Sequence, residues 1–443
     1  MKYPGHEELA VPKNAPTGEF LCLSDLPHGG SFFVAPVSAL SVFRSEIFVR
    51  RHKEEASMFK KTAKICLAAL LAAAMAVGSG LPVRAAGSED QAAADEVAAM
   101  IDAIYVQKRT QDTDAQCAAA KAAWDALTEE QKQLVEGNNA DPDYFGRDTG
   151  DAKLDDPLNA DGIGEKEILV VSFGTSFNDS RVQDIKAIED AVQAAFPDWS
   201  VRRAFTAQII INHVQARDGE VIDNMDQALE RAVANGVQEL VVQPTHLMHG
   251  AEYDEMMDAL AEYKGKIGKI SVAEPLLGEV GSDATVINAD KEAVAKAVVA
   301  DTAADAGFAD AAAAAQADTA FVLLGHGTAH VAKVTYKQMQ TQMKELGYDN
   351  VFVGTVEGEP EGTGCEEIIE AVKAAGYKNV ILRPLMVVAG DHANNDMAGE
   401  DEDSWKSMFE AAGFDSVTAQ IAGLGSIQAV QELYVAHTQA VME

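Results

Sequence analysis

Four short apolar runs occur twice in the later part of this chain, in the same order. ILVVSFGT (168–175) is matched by FVLLGHGT (321–328), and SVRRAFTA (200–207) by NVFVGTVE (350–357). ELVVQPTHLMHGAE (239–252) is matched by NVILRPLMVVAGDH (379–392), and SVAEPLLG (271–278) by TAQIAGLG (418–425). Each run is rich in β-branched residues, and longer stretches of helical periodicity separate them. That alternation predicts βαβ units and parallel sheets. The fold class expected is α/β: two similar domains, each a parallel sheet flanked by helices, over 166–295 and 318–443. The alanine-rich segment 296–317 joins them, and a closing helix follows from Ile427. Ligands of such sheets sit beyond the carboxyl ends of the strands, so two facing domains would hold a cleft there.

The two halves differ at those strand ends. Phe173 stands where the second half has His326, Ala207 where it has Glu357, and Glu252 where it has His392. The second half alone thus collects two imidazoles and a carboxylate, each just past a strand. That set suits a divalent first-row metal, and three protein ligands leave coordination positions open. Blander readings exist for each residue. His326 between two glycines could be structural, Glu357 in VEGEPEG could simply be solvated, and His392 in GDHANNDM could serve a turn. His246, His249 and His330 are weaker candidates. Asp391 and Asp396 could orient a histidine or cap the following turn.

The earlier part of the chain carries no comparable chemistry. Residues 58–86 have a basic start, a short apolar run and small residues at the end, the layout of a secretory signal peptide. Residues 1–57 ahead of it read as a mis-called extension. Residues 90–136 form a small helical module, with a capping box at Thr128 and Gln131. Residues 137–165 are turn-rich and acidic and read as a linker. Cys22, Cys66, Cys117 and Cys365 show no metal-ligand or redox spacing, and no disulfide is expected. A net charge of −35 argues against nucleic-acid partners.

LVVSFGTSFNDS, RAFTAQIII, HLMHGAEY, LGHGTAH, GTVEGEPE and PLMVVAGDHANNDMAGEDEDSWK closely resemble the anaerobic sirohydrochlorin cobaltochelatases, class II chelatases related in fold to ferrochelatase. The resemblance covers about 166–443. It implies a tetrapyrrole cleft between two α/β domains and insertion of Co²⁺, as substrate metal, into sirohydrochlorin on the way to cobalamin. No organic cofactor is implied, although haem accompanies some exported members. By motif, His326, Glu357 and His392 would hold the metal, and His326 would also accept protons. The stretch between Glu357 and His392 departs from the family in length, around EPEGTGCEE. The signal peptide is a second departure and implies an extracytoplasmic, periplasmic or secreted protein. Ser172, Phe173, Gly174, Thr175, Arg203, His246 and Arg383 are the expected substrate-binding set. Sirohydrochlorin carries many carboxylates, so cations are needed in a chain this acidic. Arg202, Arg203, Arg383 and Lys406 supply the nearest ones, with only one of Arg202 and Arg203 able to face inward. Protonation of the histidines should lower activity below about pH 6. Insertion of iron or nickel, or non-catalytic carriage of a tetrapyrrole or metal, are the alternatives. Self-association into a homo-oligomer is left open.

Overall fold

The computed structural model describes residues 87–442 apart from Asp148. The expectations for 1–57 and for the signal peptide at 58–86 lie outside the described residues. Two four-stranded parallel sheets form the body. The first contains β1 (Lys166–Ser172), β2 (Ser200–Phe205), β3 (Glu239–Pro244) and β4 (Lys269–Val272), in the order β2-β1-β3-β4. The second contains β5 (Thr319–Gly325), β6 (Val351–Thr355), β7 (Asn379–Pro384) and β8 (Ser416–Ala419), in the order β6-β5-β7-β8. The orders are the same one repeat apart, as the duplicated runs require. Ile168 to Val171 and Ala320 to Leu324 are buried without alternation. Helices cover both faces of each sheet, so every side chain of a central strand meets protein.

The helices are α1 (Ser88–Ile104), α2 (Thr113–Asp125), α3 (Glu129–Lys132), α4 (Ala187–Ala195), α5 (Gln208–Asp218), α6 (Met225–Ala234) and α7 (Ala251–Ala261) in the first part. They continue with α8 (Ala289–Asp305), α9 (Ala311–Gln316), α10 (Val334–Glu345), α11 (Cys365–Ala375), α12 (Trp405–Ala411) and α13 (Gln428–Ala440). Local chemistry sets their limits. The Thr128–Gln131 capping box forms at α3, a second box at Asn224–Gln227 opens α6, and Gly376 in the left-handed region ends α11. Helix α8 runs without a break through the boundary expected at 295. Its Asp301 and Asp305 pair with Arg383 on β7, which ties α8 to the second sheet.

The lobes share one hydrophobic core. Ile168 and Val170 of the first sheet, Phe321 and Leu323 of the second, and Tyr434 of α13 belong to a single buried cluster. Helix α13 crosses back onto the first lobe: the Tyr434 hydroxyl donates to the Thr245 carbonyl at 2.9 Å, and Thr438 Oγ1 donates to Gln243 Oε1 at 2.7 Å. A second clamp lies between β1 and α4, where a turn of π-helix (Arg181–Lys186) projects Asp184. The Ala389 amide donates to Asp184 Oδ2 at 2.8 Å, and Ser180 Oγ donates to the Ala389 carbonyl at 2.6 Å. The loop that carries Gly390 to His392 is therefore held from the first lobe by both its N–H and its C=O.

The helical module docks on α5. Asn212 Nδ2 donates to the Ile104 carbonyl at 2.8 Å, and Tyr144 stacks on His213 with ring centroids 4.3 Å apart. The stretch 137–165 is fastened and does not behave as a free linker. Asp155, its side chain buried, accepts from Arg203 at 2.7 Å and from Arg181 at 2.6 Å. Burial raises the Asp155 carboxyl, but the two guanidinium groups outweigh it and hold it below the usual carboxylate value. Its contribution to stability is thus complete above the unfolded pKa of about 3.9 and is lost as pH falls through the lower folded value. Replacing Asp155 by Ala leaves two buried cations short of a partner. We expect a loss of about 3 kcal/mol in denaturant unfolding at pH 7, with the gap to wild type closing under strong acid; an unchanged midpoint would contradict this pairing.

Candidate functional site

Parallel pairing puts the residue after each strand at one rim. Past β5, the chain turns at His326; past β6, it turns at Glu357, whose amide donates to the His326 carbonyl at 2.9 Å. The first lobe repeats this junction, with the Ala207 amide donating to the Phe173 carbonyl at 3.2 Å. His326 and Glu357 therefore occupy the backbone positions of Phe173 and Ala207, and only the second lobe places an imidazole and a carboxylate there.

Two glycines make the His326 turn possible. A Cβ on Gly325 would collide with the Tyr336 ring from α10. Gly327 has φ +92°, and a Cβ there would stand 2.9 Å from that of Glu357. The Gly327 amide donates to the Tyr336 hydroxyl at 3.2 Å, and burial pushes that phenol up to about 12. The turn is thus pinned by a neutral tyrosine, a residue whose role the sequence pattern does not signal. His326 Nδ1 lies 2.7 Å from the Gly327 carbonyl. With the proton on Nδ1 donating there, Nε2 keeps its lone pair for a metal or a proton.

His392 opens a π-helical turn (Ala393–Met397) after β7. Its Nδ1 lies 2.6 Å from Asp396 Oδ2, the orientation that frees Nε2 for a ligand. Burial lowers the His392 pKa, but the Asp396 hydrogen bond, then the charges of Asp396, Asp391 and Glu357, outweigh it and leave it above the ordinary imidazole value. The rings of His326 and His392 meet edge to face, with centroids 4.4 Å apart and planes at 77°. Glu357 is exposed at the same rim. Among the described residues, no three His, Cys, Asp or Glu side chains already stand as a closed grip on one ion. The structure therefore brings the two imidazoles together, with the charge of the Glu357 carboxylate felt at His392.

The expected substrate-binding set divides. Phe173 is 46% exposed at the rim. Gly174, with φ +100°, lies under the Phe205 ring, where no side chain would fit. Thr175 approaches the opposite lobe: a Cβ on Gly390 would stand 3.1 Å from its Oγ1. Ser172 is a correction, because its buried hydroxyl bonds to Thr245 Oγ1 at 2.6 Å and ties β1 to β3. Arg203 and Arg383 are corrections too. Both are fully buried, Arg203 against Glu189 and Asp155, Arg383 against Asp301 and Asp305. Arg202 fares the same, 3.5 Å from both Glu167 and Asp223. Alternation does send Arg202 and Arg203 to opposite faces, but helices cover both, so neither reaches the cleft. His246 has both ring nitrogens buried without a partner, and burial, partly offset by Glu252, pulls its pKa down to about 4. Between the lobes, His330 Nε2 lies 3.3 Å from Asp254 Oδ2 of α7. Lys406 sits within α12 and not at a strand end.

Two parallel-sheet lobes, with a pair of imidazoles meeting past the strands of the second, give an α/β protein with the architecture of the chelatase class. Residues 166–443 match the family described as Cobalt chelatase (CbiK), and the chain belongs to that family, which makes it a metal chelatase. It is similar to the sirohydrochlorin cobaltochelatase of Salmonella typhimurium, 33% identical over 273 residues that span 62% of this chain and 95% of that protein. It is also similar to the sirohydrochlorin cobaltochelatase CbiKC of Nitratidesulfovibrio vulgaris, 28% identical over 278 residues, 62% of this chain and 90% of that one. A solved structure, SirB from Bacillus subtilis with Fe3+, aligns with 63% of this chain and 96% of its own at 14% identity and a TM-score of 0.43. The fold described above rests on the two sheets themselves.

The Gly327 turn gives a direct check. Gly327→Ala must place a side chain at positive φ and against Glu357. We expect a stability loss of about 1–2 kcal/mol together with weaker Co²⁺ binding, followed by the visible absorption of the bound ion. Unaltered Co²⁺ affinity would show that the turn does not set the position of His326.

Proposed function

We propose that this chain inserts Co²⁺ into sirohydrochlorin, with release of two pyrrole protons. The observation that carries this reading is the meeting of His326 and His392 on one lobe, where the repeat has Phe173 and Glu252 on the other. The substrate named for both curated relatives supports the choice of tetrapyrrole. Imidazole suits several first-row ions, so cobalt as the physiological metal rests on the relatives and not on the donor set.

The chemistry follows from what each side chain can hold. The free Nε2 atoms of His326 and His392, with the Glu357 carboxylate, offer an incoming Co²⁺ three donors and leave positions for the macrocycle nitrogens. As the two metal–pyrrole bonds form, two N–H protons must leave, and a neutral imidazole within reach is a competent base. His326 is suited to this, because its Nδ1–H is already committed to the Gly327 carbonyl. Asp396 keeps His392 oriented as a ligand. The lobes, joined by a common core, form a firm seat in which substrate binding energy can bend the ring. Export is part of the same proposal and rests on the layout of 58–86. An amino-terminal sequence of the mature protein starting near 87 would support it, and one retaining 58–86 would overturn it.

Purified protein mixed with sirohydrochlorin and Co²⁺ should metallate the ring well above the spontaneous rate, with Ni²⁺ and Fe²⁺ compared alongside. His326→Ala should abolish the enhancement while sparing tetrapyrrole binding; equal loss of both would mean that the residue only shapes the cleft. A carrier would give no enhancement in the wild type.

Protonated imidazole cannot hold Co²⁺. With His392 raised above its ordinary value of about 6.5, metal holding is complete only at higher pH and is lost as pH falls through that raised value. The acid limb of the rate profile should therefore lie above the ordinary imidazole value, higher than the sequence alone suggests. Asp396→Asn removes the raising partner and should shift that limb to lower pH. A limb that stays in place would separate it from His392.

A further inference from the structure

A tetrapyrrole bearing carboxylates needs cations at its edge, and the strand-borne arginines do not provide them. Arg202, Arg203 and Arg383, like Arg181, spend their charge inside the lobes on carboxylates. The segment ahead of β1 supplies a different one. It lies outside 166–443, the residues matched by the family.

Its path is fixed at two points. On one side, Tyr144 stacks on His213 of α5, and Phe145 meets the same ring edge-on at 5.9 Å. On the other, the Thr149 carbonyl accepts from the Asp179 amide at 2.7 Å, and Asn178 Nδ2 donates to the Gly150 carbonyl at 3.2 Å. Asn178 and Asp179 follow the Phe173–Thr175 turn at the end of β1, so the segment passes beside the carboxyl end of that strand. Arg147 lies between the two anchors. Its guanidinium is 3.8 Å from the carboxylate of Asp391, the residue before His392, and its side chain remains 41% exposed. That separation is too long for a hydrogen bond. Asp391 attracts the guanidinium to the rim without committing its donors. Tyr105, at the end of α1, lies near the same carboxylate: burial first, then the Asp391 charge, raises its phenol.

We propose that Arg147 is a specificity-determining contact that grips a peripheral carboxylate of the macrocycle, so that the segment ahead of β1 completes the substrate site. A planar guanidinium presents paired donors matched to a carboxylate, and this one stands at the mouth beside the metal-binding loop. The inference rests on the substrate reading above.

Steady-state kinetics on the full chain test it, with sirohydrochlorin varied at saturating Co²⁺. Arg147→Ala should raise KM for sirohydrochlorin about tenfold, with kcat within about twofold and KM for Co²⁺ unaltered. Arg147→Lys should fall between the two. Adding Asp391→Asn to Arg147→Ala distinguishes contact from neutralisation. A KM that stays high supports the contact; a return to the wild-type KM means that Arg147 only offsets Asp391 and overturns it. A drop in kcat with no change in KM overturns it as well. If the wild type turns over and Arg147→Ala matches it, this inference alone fails. If the wild type does not turn over sirohydrochlorin, the substrate reading fails and takes the inference with it.

Discussion

The Glu357 amide donates to the His326 carbonyl at 2.9 Å, and the candidate site depends on that junction. It extends the β5–β6 ladder one step past the strands, so parallel register decides which residues share the rim. The β5–β7 ladder does the same for the loop to His392. The first lobe builds an equivalent junction from Phe173 and Ala207, which shows that the backbone frame does not by itself make a site. Function is carried by which side chains the repeat retains at equivalent positions.

The lobes are not loosely hinged halves. Tyr434 and Thr438 fasten α13 to β3, and Asp184 with Ser180 grips Ala389 just ahead of the GDH loop. Asp184 leaves no room for a side chain at Gly423, because a Cβ there would enter its carboxylate. Burial pushes its own carboxyl up to about 7, against the opposing pull of backbone donors. His392 thus hangs from a loop anchored in both lobes, while its ring is aimed by Asp396. A side chain supported in this way keeps its geometry when its free ring nitrogen takes up a partner.

Much of this was legible in the sequence, for identifiable reasons. β-branched runs in two parallel series betray two parallel sheets, and counting from the strand ends brings His326 and His392 to one rim. The β4 and β8 strands begin two residues before the runs that signal them, because their edges are half exposed and their patterns weak. Side-chain alternation reports which face Arg202 and Arg203 take but not what covers it, so their burial is not legible in the sequence. Residues 137–165 read as a linker from their turn content, yet one buried carboxylate, Asp155, binds two distant arginines. Tyr336 and Asp184 act through contacts between elements far apart in the chain, and no local spacing encodes those. The rotamer of Glu357 lies beyond sequence reasoning for the same reason.

X-ray absorption of the Co²⁺-loaded full chain measures the central claim most directly. The account requires a first shell containing two imidazole nitrogens and a carboxylate oxygen, with the histidine signal reduced by half in His392→Ala. A shell of oxygen donors alone, or one unmoved by that substitution, would contradict it.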